Sequence, residues 1–334
     1  MSSTVNDVAS SNAERDAVRI AERVAEAWHS VDHSGRLDVP MSVVAAIATV
    51  SATSAEGQDL TESLTAWITA NVVEFARTVW ARFLTGRPDL AAPLYPMIAW
   101  LYPPPDNHPD PGSNRSHSEE GEEGEPSPEL VSRAQTVAIA ALGAGQLALS
   151  GTQRRLETDL LGITLTGLRP RSALRTRGQF YTPAAAADVL AAMLGLSEHA
   201  SVSDPAMGTG GMFRAAAAAM RARGMNPATV AWVGTDIDPI AVAAAAVNSA
   251  IWGLGPNVLI WTVNTLSADP ADSYATALAR RNELIDLARW HARNRTLRQF
   301  LDLLTTPHQN PEAEPESHSD PGEPAGRDGE TDSA

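Results

Sequence analysis

The sequence predicts an α/β protein: an N-terminal helical region, then a small parallel sheet, with an acidic linker and an acidic tail that stay disordered. Three observations predict it. Apolar residues recur at helical spacing up to residue 102. From Gly178 onward, short apolar and β-branched runs alternate with helical stretches. The formal charge of −15 is concentrated in two tracts rich in Pro, Gly, Ser and Glu, which cannot bury enough apolar surface to offset their ordering entropy.

These patterns divide the chain into a helical N-terminal domain (1–102), a disordered acidic linker (103–128), a helical connector (129–177), a sheet-containing domain with C-terminal helices (178–304) and a disordered acidic tail (305–334). Residues 103–129 and 305–334 each carry a net charge of −7, so the remainder is nearly neutral and nucleic acid is not excluded as a partner. All 25 basic residues are Arg, a bias expected of a GC-rich genome. With no Cys, disulfides, thiolate metal sites and a Cys nucleophile are excluded. The polar stretch Met1 to Asp16 lacks the apolar core of a signal peptide, and no uncharged run reaches the roughly 20 apolar residues of a membrane span. A cytoplasmic location is the expectation.

In order, Ala13 to Ser30 places Val18, Ile20, Val24 and Trp28 at near-helical spacing, and Met41 to Thr53 and Leu60 to Leu84 continue that character. Helix resumes over Glu129 to Ser150 and Arg154 to Leu168. Ser201–Asp204, Val230–Thr235 and Val258–Asn264 are strands. Between the last two, Pro239 to Ile251 is a helix with Pro in its first turn. Strand–helix–strand–helix–strand implies right-handed parallel crossovers. Tyr274 to Leu304 is Arg-rich helix.

The chemistry concentrates at the ends of the three strands. Asp204-Pro205-Ala206-Met207-Gly208-Thr209-Gly210-Gly211 lets the backbone turn sharply and approach a ligand without Cβ obstruction. The dinucleotide fingerprint is not met, because Phe213 stands at its third glycine, and a chain without Lys has no nucleotide P-loop. A sulfonium cofactor needs no phosphate cradle, and the Asp204 carboxylate suits its cationic end. Asp236, followed by Ile237 at the end of the second strand, can accept both hydroxyl protons of a ribose, while Asp238 before Pro239 is the better helix cap. Asn264 is either an adenine contact or a turn residue.

Taken together, Asp159-Leu160-Leu161-Gly162, Gly178-Gln179-Phe180-Tyr181-Thr182-Pro183, the Asp204 block, Gly234-Thr235-Asp236, Asn248 and Asn264-Thr265-Leu266 resemble the cofactor half of N6-adenine DNA methylases. The modification subunit of type I restriction systems is the nearest likeness. The resemblance runs from about Asp159 to Leu266, with Met207 where the family has Cys. It implies a partial class I methyltransferase (Rossmann-like) sheet, S-adenosylmethionine as cofactor, DNA as partner and direct methyl transfer to adenine N6 without metal. By the same resemblance Phe180, Tyr181 and Thr182 close over the methionine part of the cofactor. The remaining contacts fall to Asp204, Pro205, Ala206, Met207, Gly208, Gly210, Asp236, Ile237 and Asn264.

One block of that family is missing. Holding an extruded adenine offsets a few kcal/mol of unstacking and requires the Asn/Asp-Pro-Pro-Tyr/Phe tetrapeptide that the family places after a fourth strand. Tyr102-Pro103-Pro104-Pro105-Asp106 and Asp269-Pro270-Ala271 do not qualify. No catalytic residue is therefore expected, and activity would require a second chain that completes the fold or recognises the target. The alternative is a catalytically inactive module binding DNA or protein. Without a fourth strand, Ser201–Asp204 should form an exposed edge, covered by the Arg-rich C-terminal helix or by another chain. Two Arg clusters, one from Arg169 to Arg177 and one from Arg280 to Arg298, are either solvated faces or phosphate contacts.

Overall fold

A computed structural model describes residues 2–103, 124–169 and 182–305, with side chains over 12–103, 124–169 and 182–293. Both acidic tracts lie almost wholly outside the described residues, as do Phe180, Tyr181, Arg171, Arg175 and Arg177.

Helix α1 (Ser2–Val31) buries Ala13, Ala17, Ile20, Val24 and Trp28, one stripe at steps of three and four. Helix α2 (Asp38–Thr49) is buried continuously from Val39 to Ala48, as an element apolar on every side must be. The helical character read over Leu60 to Leu84 takes the form of two helices, α3 (Thr61–Ala70) and α4 (Val72–Gly86), separated at Asn71 (φ −139°, ψ 57°). The break lets Trp67 and Phe75 meet edge to face with centroids 5.2 Å apart. Helix α5 (Ala91–Ile98) follows. Likewise α6 (Pro128–Gly143) ends before Gly145, whose φ of +86° separates it from α7 (Gln146–Ser150). Helix α8 (Leu160–Leu168) is capped by Asp159, so the pattern read from Arg154 is a 3-10 turn followed by a separate helix.

Helices on both sides of the acidic tract share one core, in which Trp28, Phe75, Trp80 and Leu94 pack with Val137, Leu161 and Leu165. Arg77 ties the two stems of the tract together. Its Nη2 donates to Leu101 O at 2.7 Å and to Gly124 O at 2.9 Å, and its guanidinium lies 5.5 Å from the centre of the Tyr102 ring.

The sheet comprises β1 (Ser201–Asp204), β2 (Ala231–Asp236) and β3 (Val258–Thr262), all parallel and in that order. Asp204 lies opposite Gly234, and Asp236 opposite Thr262. The linking helices are α9 (Ala184–Met193), ahead of β1, then α10 (Gly211–Ala222) and α11 (Pro239–Ile251). A second core of Phe213, Met220, Trp232, Val242, Trp252 and Ile260 fills the space beneath them. Helix α11 is buried on two sides: Val242, Ala245 and Ala246 join the sheet core, and Ala241, Ala244 and Val247 join the helical one. Its run of Ala permits that close double packing.

Strand β1 is an edge, paired only with β2 among the described residues, and its residues alternate between exposed and half-buried. The C-terminal helix is α12 (Pro270–Thr305). Ser273 accepts from Trp261 Nε1 at 2.7 Å and Arg281 donates to Pro256 O at 2.6 Å, so its first turns follow β3. Among the described residues no helix is long and apolar enough to cross a membrane.

Candidate functional site

Because the strands are parallel, Asp204, Asp236 and Thr262 end at one edge of the sheet, where the following loops converge. The turn after β1 is fastened to β2 at several points. Met207 N donates to Thr235 O at 2.9 Å, and Thr235 Oγ1 donates to Pro205 O at 3.0 Å. Thr265 Oγ1, beyond β3, reaches the same carbonyl at 3.2 Å. The turn then needs left-handed backbone at Gly208 (φ +55°) and at Gly210 (φ +89°), which opens α10. A Cβ at Gly208 would meet no atom within 4 Å, so open space lies above this turn.

Gly208 N donates to Asp236 Oδ2 at 2.8 Å, which brings the glycine turn and the acid of β2 into direct contact. Asp236 Oδ1 accepts from Asp238 N at 2.9 Å. A carboxylate offers about four acceptor positions, so these bonds do not exhaust its capacity. Burial raises the Asp236 pKa above its ordinary value, against the opposing pull of the Gly208 and Ile237 amides and of Arg169. Asp204 is raised as well, first by burial and also by the Asp236 charge, while its bond from Ala206 N opposes the shift. The negative charge of Asp236 thus reaches the half-buried Asp204 at the end of the neighbouring strand.

Asp238 accepts from Ile240 N and Ala241 N and so caps α11, as its place before Pro239 predicts. Arg169 forms a buried ion pair with it, which removes Arg169 from any solvent-facing basic cluster. Ile237 and Leu266 stand exposed at the rim. Asn264 accepts from Leu266 N at 3.1 Å, so its side-chain oxygen serves the turn after β3. Thr182 lies exposed just ahead of α9. Met207 points inward: it is buried against Phe213 and Gly234, and its backbone N and O are both engaged within the fold. Of the turn residues read as contacts, it therefore presents no polar group to a ligand. Asp269 accepts from Ala271 N and Asp272 N, so Asp269-Pro270 is the cap of α12.

The structure adds residues that the motifs did not assign. Asp159 is buried behind the glycine turn and accepts from Thr209 Oγ1 at 2.5 Å and from Asn248 Nδ2 at 2.8 Å. The Asp-x-x-Gly pattern of a capped helix was its visible signal.

The strand ends thus bring together a glycine turn with open space above Gly208, the Asp236 carboxylate bonded to that turn, and the half-buried Asp204. Residues 169–285 match the family described as N-6 DNA methylase. The matched span begins after the Asp159 segment and continues into α12. No curated protein matches the chain.

Proposed function

We propose that this chain is a member of the N-6 DNA methylase family, that it binds S-adenosylmethionine at the ends of β1 and β2 and that it contributes the cofactor half of a DNA adenine-N6 methyltransferase of the restriction-modification type. The contact of Gly208 N with Asp236 Oδ2 carries the reading, since it joins the two segments that an adenosyl group must touch at once. Asp236 would accept the ribose hydroxyls. The turn from Pro205 to Gly210 would line the methionine side, and Asp204 would face the positive charge. Exposed Ile237 offers an apolar surface for the adenine ring. The cofactor, when bound, supplies an electrophilic methyl group. This chain's part is to hold it, orient it and neutralise its charge.

Nothing in the sequence supplies the tetrapeptide that would grip the adenine amine. The proposal therefore includes a second chain that brings this block beside β1, whose outer edge has no strand neighbour among the described residues. That same edge supports the other reading, a methylase-fold module that binds DNA or protein without catalysis. Titration calorimetry with S-adenosylmethionine separates them: saturable binding supports the cofactor reading, and its absence in folded protein supports the module. Transfer of labelled methyl to DNA should be negligible with the chain alone. It should appear on adding a partner that carries Asn/Asp-Pro-Pro-Tyr/Phe. Full transfer by the isolated chain would refute the need for that partner.

A further inference from the structure

The helical core reaches the site through one buried cluster. Asp159 stands at the start of α8, whose Leu160, Leu161, Leu165 and Leu168 belong to that core. Its Oδ1 accepts from Gly162 N and from Asn248 Nδ2, each at 2.8 Å, and its Oδ2 accepts from Thr209 Oγ1 at 2.5 Å. Asn248 also donates to Thr209 O at 2.9 Å. All three side chains are buried. Thr209 is the one residue of the turn between the two left-handed glycines, and both its hydroxyl and its carbonyl are held from behind.

Packing there leaves no slack. A Cβ on Gly162 would lie 2.3 Å from Asp159 Oδ2 and 2.5 Å from Thr209 Oγ1. An Asp placed only to cap α8 would need the bond from Gly162 N and nothing more. This one spends its other oxygen on the ligand-facing turn and shares the first with α11. The arrangement joins three segments far apart in sequence, α8, the glycine turn and α11, through one buried carboxylate.

We propose that Asp159 is a positioning residue through which the helical core sets the shape of the Met207–Gly210 turn and thereby the affinity of the site for its adenosyl ligand. The affinity part rests on the cofactor reading above; the effect on the turn does not. The helical region is thus a buttress for the cofactor turn, besides any role it has toward DNA.

The test uses the full chain with Asp159→Asn, Thr209→Val and Thr209→Ser, and Ser127→Ala as a control. That control removes the cap of α6, where Ser127 accepts from Leu130 N. Hydrogen exchange of the peptide spanning 203–213 is followed without ligand. Binding of S-adenosylhomocysteine is measured by calorimetry, at a temperature where circular dichroism shows every variant folded. Losing the hydrogen bond between Asp159 and Thr209 should speed exchange in this peptide and weaken binding, each by about tenfold, in Asp159→Asn and Thr209→Val. Thr209→Ser keeps the hydroxyl and should behave as the parent. Ser127→Ala should lower thermal stability and move neither readout, as a purely structural role for Asp159 would also do. Parental exchange in both Asp159→Asn and Thr209→Val overturns the proposal, and if only one of them folds, that one decides. If the parent binds no ligand, the cofactor reading fails and the exchange result alone decides.

Discussion

Replacing Asp236 with Asn removes one charge and converts one acceptor to a donor at the centre of the site. In the parent, Oδ2 accepts from Gly208 N at 2.8 Å and Oδ1 from Asp238 N at 2.9 Å. An amide can satisfy only one of these backbone donors, and its NH2 group must then face the other. It also offers ribose one acceptor oxygen where the carboxylate offers two. A hydrogen bond to a charged group contributes about 1.5–3 kcal/mol, so losing one such bond to ribose and loosening the Gly208 turn should weaken binding by about 2–3 kcal/mol, roughly 30- to 150-fold. Folding should suffer much less, because burial already disfavours the ionised carboxylate and the amide avoids that penalty. The assay is calorimetry with S-adenosylhomocysteine at pH 7, with thermal unfolding measured in parallel. An affinity within about threefold of the parent, in a folded variant, would refute the assignment of Asp236 to the ribose.

The Asp204 carboxylate should act on charge. Asp204→Asn is expected to weaken S-adenosylmethionine binding about fivefold and to leave binding of the uncharged thioether S-adenosylhomocysteine nearly unchanged, and equal losses for both would argue against it. The pH dependence follows from the same group. Its folded pKa is raised from 3.8, so its proton-linked stabilisation is complete below the unfolded value and lost as pH rises through the folded one. Asp204→Asn should therefore be more stable than the parent at neutral pH in denaturant titrations, with the gap closing as pH falls through the folded pKa; a gap independent of pH would contradict the burial argument. At Gly234, a Cβ would sit 2.4 Å from Met207 Sδ and 3.0 Å from the Phe213 ring. Gly234→Ala should cost about 1–3 kcal/mol by overpacking, and combining it with Met207→Ala should cost less than the two separate losses together by more than about 1 kcal/mol. Additive losses in denaturant unfolding would show that the two positions do not share space.

Two of the three strands were legible because Val230–Thr235 and Val258–Asn264 are runs of β-branched and apolar residues bounded by turn formers, a pattern that short-range chemistry decides. Asp238 and Pro239 announced the start of α11 in the same local way. The helix breaks were harder to read. Asn71 interrupts the helical pattern of Leu60 to Leu84, and Trp67 and Phe75 on either side of it meet in one core, a contact that local pattern does not encode. Within the site, Asp204, Gly208 and Asp236 converge as their order implies. Met207 shows the limit of a motif: position in the block does not tell which way the turn points a side chain, and here it points into the sheet core. The tie from Asp159 to Thr209 joins positions 50 residues apart, too far for any spacing rule.

Arg77 has a consequence for how this chain tolerates change. One guanidinium nitrogen holds Leu101 O and Gly124 O together, so the backbone departs from the helical core and rejoins it at a single place. The geometry of the bundle is closed at that point, whatever the length of the segment between. Shortening, lengthening or exchanging that segment should leave α1 through α8 in register, so selection could tailor its sequence without disturbing the parallel sheet.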